Sequence, residues 1–160
     1  MPVRARPARR PGGFTLVEIM VVMVIIGVTL GMVSLNALPS PHQDLQKEAQ
    51  RLTLLLQLAR DEAIVRNRPV TFEATPERYH FLVRNETRWD PIVGDDLLRE
   101  RDFKNGPLTL VLDPASAGTV NPLRITFGRE PVDKPFVLVL STGGSRVAIR
   151  ADGVGHFTVE

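Results

Sequence analysis

The sequence, 160 residues long, contains no cysteine, so no disulfide and no Cys-based metal site is open to it. Two regional absences say more. Residues 1–13 hold Arg4, Arg6, Arg9 and Arg10 but no acid, and Phe14 to Leu38 holds no Lys, Arg or His and one charge only, Glu18. The formal net charge of +2 therefore belongs to the leader; the rest of the chain, with 16 basic and 18 acidic residues, stands at −2. Chemistry-bearing patterns are missing as well. His42, His80 and His156 lie far apart with no HExxH spacing, and Gly143-Gly144, between Ser141 and Ser145, lacks the Gly-Lys-Ser/Thr ending of a phosphate loop. No Gly-x-Ser-x-Gly elbow occurs. Asp90, Asp95 and Asp96 have no EF-hand spacing, so turn formation is expected of them in preference to calcium binding. The expectation is a non-enzyme with no metal and no cofactor.

What is present first is an apolar run. Phe14 to Leu38 exceeds the ~20 residues that cross a bilayer. A removable secretory signal fits poorly, because its apolar part is usually about 7–15 residues and a small-x-small cleavage pattern is missing where Leu35 precedes Asn36-Ala37. A buried core helix is disfavoured by the arginines before it, which orient a membrane helix with its N-terminus in the cytoplasm. The expectation is a single transmembrane helix over 14–38. Glu18 then needs an explanation, since an acid within a bilayer costs a few kcal/mol and usually has a partner. The helix offers no cation. A cut between Gly13 and Phe14 would create one, an α-amine four residues before Glu18 on the same helical side; in an assembly the amine of a neighbouring chain would serve. The plainer alternative puts Glu18 at the membrane edge, reaching the head groups.

Pro39 and Pro41 interrupt the helix. It restarts with Ser40 as N-cap, Pro41 as first residue and Gln43 as third, a capping box, and is expected to run to about Asn67, before Pro69. Leu45, Ala49, Leu52, Leu56, Ala59 and Ala63 share one face, to be packed on a sheet; Leu54, Leu58 and Val65 form a second apolar strip, either buried in the same core or offered to neighbouring subunits. From Pro69 the pattern turns to short β runs, "PVTFEA", "RYHFLV", "LRERDF", "LTLVLD", "LRITF", "FVLVLS", "RVAIRA" and "HFTV". Ser141 to Ser145 reads as a hairpin turn and "ADGVG" as another. Residues 85–96 read as an exposed polar loop around Trp89. The expected class is α+β: an amphipathic helix on an antiparallel β-sheet domain. From Pro39 to Glu160 the chain has 16 basic and 17 acidic residues, interleaved, and one aromatic in the exposed loop, so nucleic-acid binding is disfavoured. Arg146 and Arg150, on one face of a strand, are the local patch that would support it.

The stretch "GGFTLVEIMVVMVIIG" resembles the type III signal of the type IV pilin and pseudopilin superfamily. The resemblance implies cleavage by a prepilin peptidase between Gly13 and Phe14, N-methylation of Phe14, and subunit docking through Glu18. "EAQRLTLLLQLARDEAIVRNRPV", "LRITFGREPVDKPFVLVLS" and "IRADGVGHFTVE" resemble, within that superfamily, the general secretion pathway protein H (GspH) and FimT/FimU group. This implies a pilin-like fold with a leader at 1–13, a transmembrane helix at 14–38, an amphipathic stalk at 39–68 and a periplasmic β-rich domain at 69–160. It also implies a role as a minor pseudopilin of type II secretion. Such a subunit sits near the tip of a periplasmic filament with the I, J and K pseudopilins above the major G type, and works with an inner-membrane platform. The alternative is a minor type IV pilin for pilus assembly or DNA uptake.

Overall fold

Helix α1 spans Leu16–Leu35, 20 residues, in a computed structural model that describes residues 14–35, 40–120 and 122–160. Leu16 follows Thr15, whose backbone carbonyl accepts the N–H groups of Glu18 and Ile19 at 3.1 and 3.3 Å. Thr29 returns its hydroxyl to the carbonyls of Ile25 and Ile26 at 2.8 and 3.0 Å, so the one hydroxyl in the middle of an apolar helix is satisfied within it. The chain divides into two compact units, Met1–Leu38 and Pro39–Glu160.

In the second unit, α2 spans Pro41–Val65, ~37 Å at 1.5 Å per residue. Ser40 caps it: its Oγ accepts the Gln43 N–H at 3.3 Å, Pro41 occupies the first turn, where its missing N–H costs nothing, and Asp44 complements the helix dipole. The other end closes by a left-handed residue, Asn67, at φ 52°. The Arg68 and Asn67 N–H groups donate to the Ala63 and Ile64 carbonyls, a Schellman arrangement. The stripe Leu45, Ala49, Leu52, Leu56, Ala59 and Ala63 is buried, with alanines letting strands approach between the leucines.

Among the described residues ten strands follow, all antiparallel, in two sheets. The six-stranded sheet runs β3 (Arg88–Pro91), β2 (Arg78–Asn85), β1 (Val70–Ala74), β7 (Leu123–Phe127) and β6 (Thr119–Val120), with β4 (Arg101–Asp102) also on β2. The four-stranded sheet runs β10 (Phe157–Val159), β9 (Ser145–Ala151), β8 (Phe136–Thr142) and β5 (Thr109–Asp113). Both bury their alternate residues against α2 and each other: Val70, Phe72 and Ala74 of β1, Leu138 and Leu140 of β8, Val147 and Ile149 of β9. Phe72, Tyr79, Phe81 and Phe103 form one ring cluster, with centroids 5.0–6.2 Å apart. The β8–β9 turn carries Gly143 and Gly144 at φ 52° and 85°, the double left-handed step that a two-residue hairpin loop requires.

The structure departs from the sequence reading in three places. Residues 85–96 are not one exposed loop: Arg88–Pro91 is an edge strand on β2, and Trp89 is half-buried under the Arg84 guanidinium, 5.2 Å from its ring centroid. "LRERDF" keeps only the two-residue β4. The β-rich region is two sheets, because β5 pairs with β8 and β1 with β7 across long loops.

Candidate assembly site

At the start of α1, Thr15 is the N-cap and Glu18 the third helical residue. The Glu18 N–H donates to the Thr15 hydroxyl at 3.3 Å, half of a Thr-x-x-Glu capping box. Glu18 thus stands where the unsatisfied N–H groups of a helix make the field positive. Gly13 lies outside the described residues. Phe14 precedes the cap, outside the helix.

The rest of α1 has no core-facing stripe. The large apolar side chains from Phe14 to Met32 are 45–77% exposed, spread round the whole helix. An α-helix apolar on every side needs lipid or other helices around it. Among the described residues no helix is long and apolar enough to cross a membrane; the side chains of α1 are placed only as far as Met32. The transmembrane segment expected at 14–38 continues through residues 36–38, outside the described ones.

On α2 the second apolar strip resolves into two parts. Leu58 packs against the core, whereas Leu54 and Val65 are 68% and 81% exposed. At 100° per residue they fall on the side opposite the buried stripe.

The other candidate residues are engaged in the fold. Asp90 accepts the Asn85 side-chain amide at 3.0 Å, and Asp95 accepts the Leu97 and Leu98 N–H groups at 2.7 and 3.2 Å. Asp152 accepts the Val154 and His156 N–H groups and faces His156 Nδ1 at 2.7 Å. The Val154 N–H foremost, helped by His156, lowers its carboxyl to about 2. Glu73, on the outer face of β1, pairs with Arg124 and lies 3.6 Å from His80. Among the described residues no group of three or more His, Cys, Asp or Glu is placed to hold a metal.

Two residues that the sequence reading passed over organise the domain. Glu48 lies on the buried side of α2, 7% exposed, its Oε1 3.7 Å from Arg51, and among the described residues neither that oxygen nor the Tyr79 hydroxyl has a hydrogen-bond partner. Burial pushes its carboxyl above the ordinary value, against the lowering effect of Arg51, Lys104 and Arg101. Arg60 donates to the Pro131 carbonyl and fills the space beside Gly155. A Cβ at Gly155, where φ is 109°, would meet Arg60 Nη1 at 2.6 Å. The glycine of "ADGVGH" therefore admits a stalk arginine.

A profile described as Type II transport protein GspH matches residues 48–155, and one described as Prokaryotic N-terminal methylation motif matches 8–34. The chain is 33% identical over 138 residues to the Type II secretion system protein H of Pseudomonas aeruginosa, covering 84% of this chain and 78% of that one. In fold it is similar to the crystal structure of the minor pseudopilin EPSH of the Vibrio cholerae type II secretion system (TM-score 0.58, 17% identity, 76% of this chain and 98% of that one). It is also similar to that of the type IV minor pilin FimU of Pseudomonas aeruginosa (TM-score 0.53, 21% identity, 72% and 87%).

Proposed function

The chain belongs to the type II transport protein GspH family, which makes it a minor pseudopilin of the type II secretion system and a structural, non-enzymatic protein, and we propose that it acts near the tip of the pseudopilus. Its membership and its N-terminal methylation motif imply an inner-membrane anchor, a periplasmic domain, association with other pseudopilins and processing by a prepilin peptidase. In this reading the peptidase cuts between Gly13 and Phe14 and the new amine of Phe14 is methylated. Residues 14–38 span the inner membrane with the Arg-rich leader cytoplasmic and residues 69–160 periplasmic. Glu18 neutralises the terminal amine of a neighbouring subunit. The partners are the I, J and K type pseudopilins, the G-type major pseudopilin and the inner-membrane secretion platform. No cofactor takes part.

The observation that carries this reading is the N-terminal unit: a helix apolar on all sides, with a single acid in its capped first turn. A charge retained there at a cost of a few kcal/mol in the bilayer needs a cationic partner, and α1 contains none. The test replaces Glu18 by Leu. The variant is expected to enter the membrane as well as the wild type or better, to be shortened by the same 13 residues in intact-mass measurement, and to lose crosslinks to other pseudopilins along with secretion. Normal secretion by E18L, or a mature chain that begins elsewhere than Phe14, would overturn the assignment.

A further inference from the structure

Between the first turns of α2 and the turn that follows β4 lies a cavity of about 220 Å³, lined by Asp44, Lys47, Glu48, Arg51, Lys104 and Asn105. Buried Glu48 forms its floor, and Lys47, Lys104 and Asn105 are exposed at its mouth. Lys104 and Asn105 are the tip of a turn that the Gly106 N–H closes on the Phe103 carbonyl at 3.3 Å. Phe103 is itself buried, 5.0 Å from the Tyr79 ring between centroids, which fixes the turn against the core. Tyr79 and Arg101 are register partners on β2 and β4, and both are within electrostatic range of Glu48.

Hydrogen-bond donors outnumber acceptors here. Lys47 lies 4.0 Å from Asp44 and Arg51 3.7 Å from Glu48, ion pairs too long to be hydrogen bonds. Among the described residues none of Lys47, Arg51 and Lys104 makes a side-chain hydrogen bond. The Tyr79 hydroxyl and Arg101 Nε are buried without a partner. Three cations thus line the cavity against two carboxylates, and burial pushes one of those, Glu48, toward its neutral form. A cation entering would meet Lys47, Arg51 and Lys104 together; an oxyanion would meet charged donors.

We propose that this cavity is an oxyanion site and that its occupant is the carboxylate of an acidic side chain on a neighbouring pseudopilin subunit. The class of partner rests on the pseudopilin assignment. The adjoining surface selects a protein carboxylate over a free ion. Leu54, 68% exposed, follows Arg51 by three residues and Lys47 by seven, spacings that put all three on one side of α2. An acidic residue with an apolar neighbour fills the cavity and covers Leu54 at once, whereas a free phosphate leaves Leu54 bare. In the bound state Arg51 and Lys104 donate to the carboxylate. Glu48 takes a proton from solvent and donates its O–H to the same group, so binding strengthens as pH falls. The groups facing Glu48 are Asp44, Lys47 and Arg51 from α2, Tyr79 from β2, Arg101 from β4 and Lys104 from the turn.

Tyr79 is the one tyrosine of the chain, so a tyrosine label at ring carbon Cζ gives a single NMR resonance beside the site. The full chain in non-ionic detergent is titrated with acetate, with ionic strength held constant by chloride. The resonance is expected to shift saturably with a Kd in the millimolar range. Lys104→Gln is expected to weaken binding about tenfold, the loss of one charged donor. Binding is expected to be tighter near pH 5.5 than near pH 7, and Glu48→Gln to abolish that dependence. In membranes K104Q is expected to lose crosslinks to other pseudopilins with unchanged denaturant unfolding, since Lys104 is exposed. No saturable shift, saturation by phosphate but not by acetate, or full crosslinking in K104Q would each overturn the proposal. K104Q that crosslinks normally where E18L does not would sink this site alone and leave the assembly role standing.

Discussion

Glu48 shows how far a single position can diverge from its sequence pattern. In "DLQKEAQR" it reads as part of a solvated face, yet it follows Leu45 by three residues and precedes Leu52 by four, on the buried stripe. Its carboxyl, raised by burial, binds a proton more tightly in the folded chain than in the unfolded one. Folding is therefore favoured at low pH, and stability contributed by this residue is lost as pH rises from the ordinary value of 4.5 through the raised one. Glu48→Gln, which keeps the shape without the charge, is expected to equal or exceed the wild type in denaturant unfolding at pH 7 and to lose any advantage near pH 4. If the variant is less stable at pH 7, the ion pair with Arg51 outweighs desolvation and the sign is wrong. The N-terminal candidates draw notice for the opposite reason: Gly13, Phe14 and Glu18 stand against a background so uniform that one acid and one glycine pair are conspicuous. Arg60 was not legible, because its partners, the Pro131 carbonyl and the space beside Gly155, come from loops about 70 and 95 residues away in sequence.

At the scale of elements, α2 and seven of the ten described strands followed from periodicity, because each buries one face and writes that face into its own spacing. β3 did not, since Arg88, Asp90 and Pro91 hide the alternation and the strand is held by β2 and the Arg84 stack on Trp89. β6 is too short to leave a pattern. The division into two sheets depends on which distant strands pair, which local spacing does not encode. The two apolar strips of α2 were also ambiguous in sequence, and their exposures now separate them. Leu56→Ala, at a site with no exposure, is expected to cost about 2–5 kcal/mol in chemical unfolding. Leu54→Asp, on the open side, is expected to change stability by no more than about 0.5 kcal/mol, while crosslinking of the full chain to other pseudopilins falls. Loss of folding in L54D would mean that this side is part of the core; unchanged crosslinking would remove it from the interface.

The whole molecule's electrostatics separate secretion from nucleic-acid uptake. A receptor for DNA needs a connected positive surface, because phosphate contacts supply most of the sequence-independent affinity. From Pro39 to Glu160 the chain has 16 basic and 17 acidic residues, and the structure shows how the cations are used. On the six-stranded sheet Arg124 is held by Glu73, and Arg78 lies 2.8 Å from Glu100 and 3.6 Å from Asp102. Of the local patch on β9, Arg150 donates to both carboxylate oxygens of Glu160 at 3.0 and 3.2 Å, which lowers the Glu160 carboxyl below its ordinary value. Arg146 is left without Arg150 as a free neighbour on that face. Trp89, the aromatic that a stacked base would use, lies half-buried with Arg84 over its ring. Fold similarity to FimU does not argue otherwise, since pseudopilins and minor pilins share the fold; the sequence relative at 33% identity is a secretion protein. Deletion of the gene is accordingly expected to abolish exoprotein release and to leave natural transformation unchanged, both measured in one strain. The full chain in detergent is expected to hold DNA no better at 50 mM than at 200 mM salt, where a protein making 6–10 phosphate contacts loses about 10³–10⁵ in affinity. Lost transformation with normal secretion, together with binding that falls steeply with salt, would transfer the protein to the pilus system.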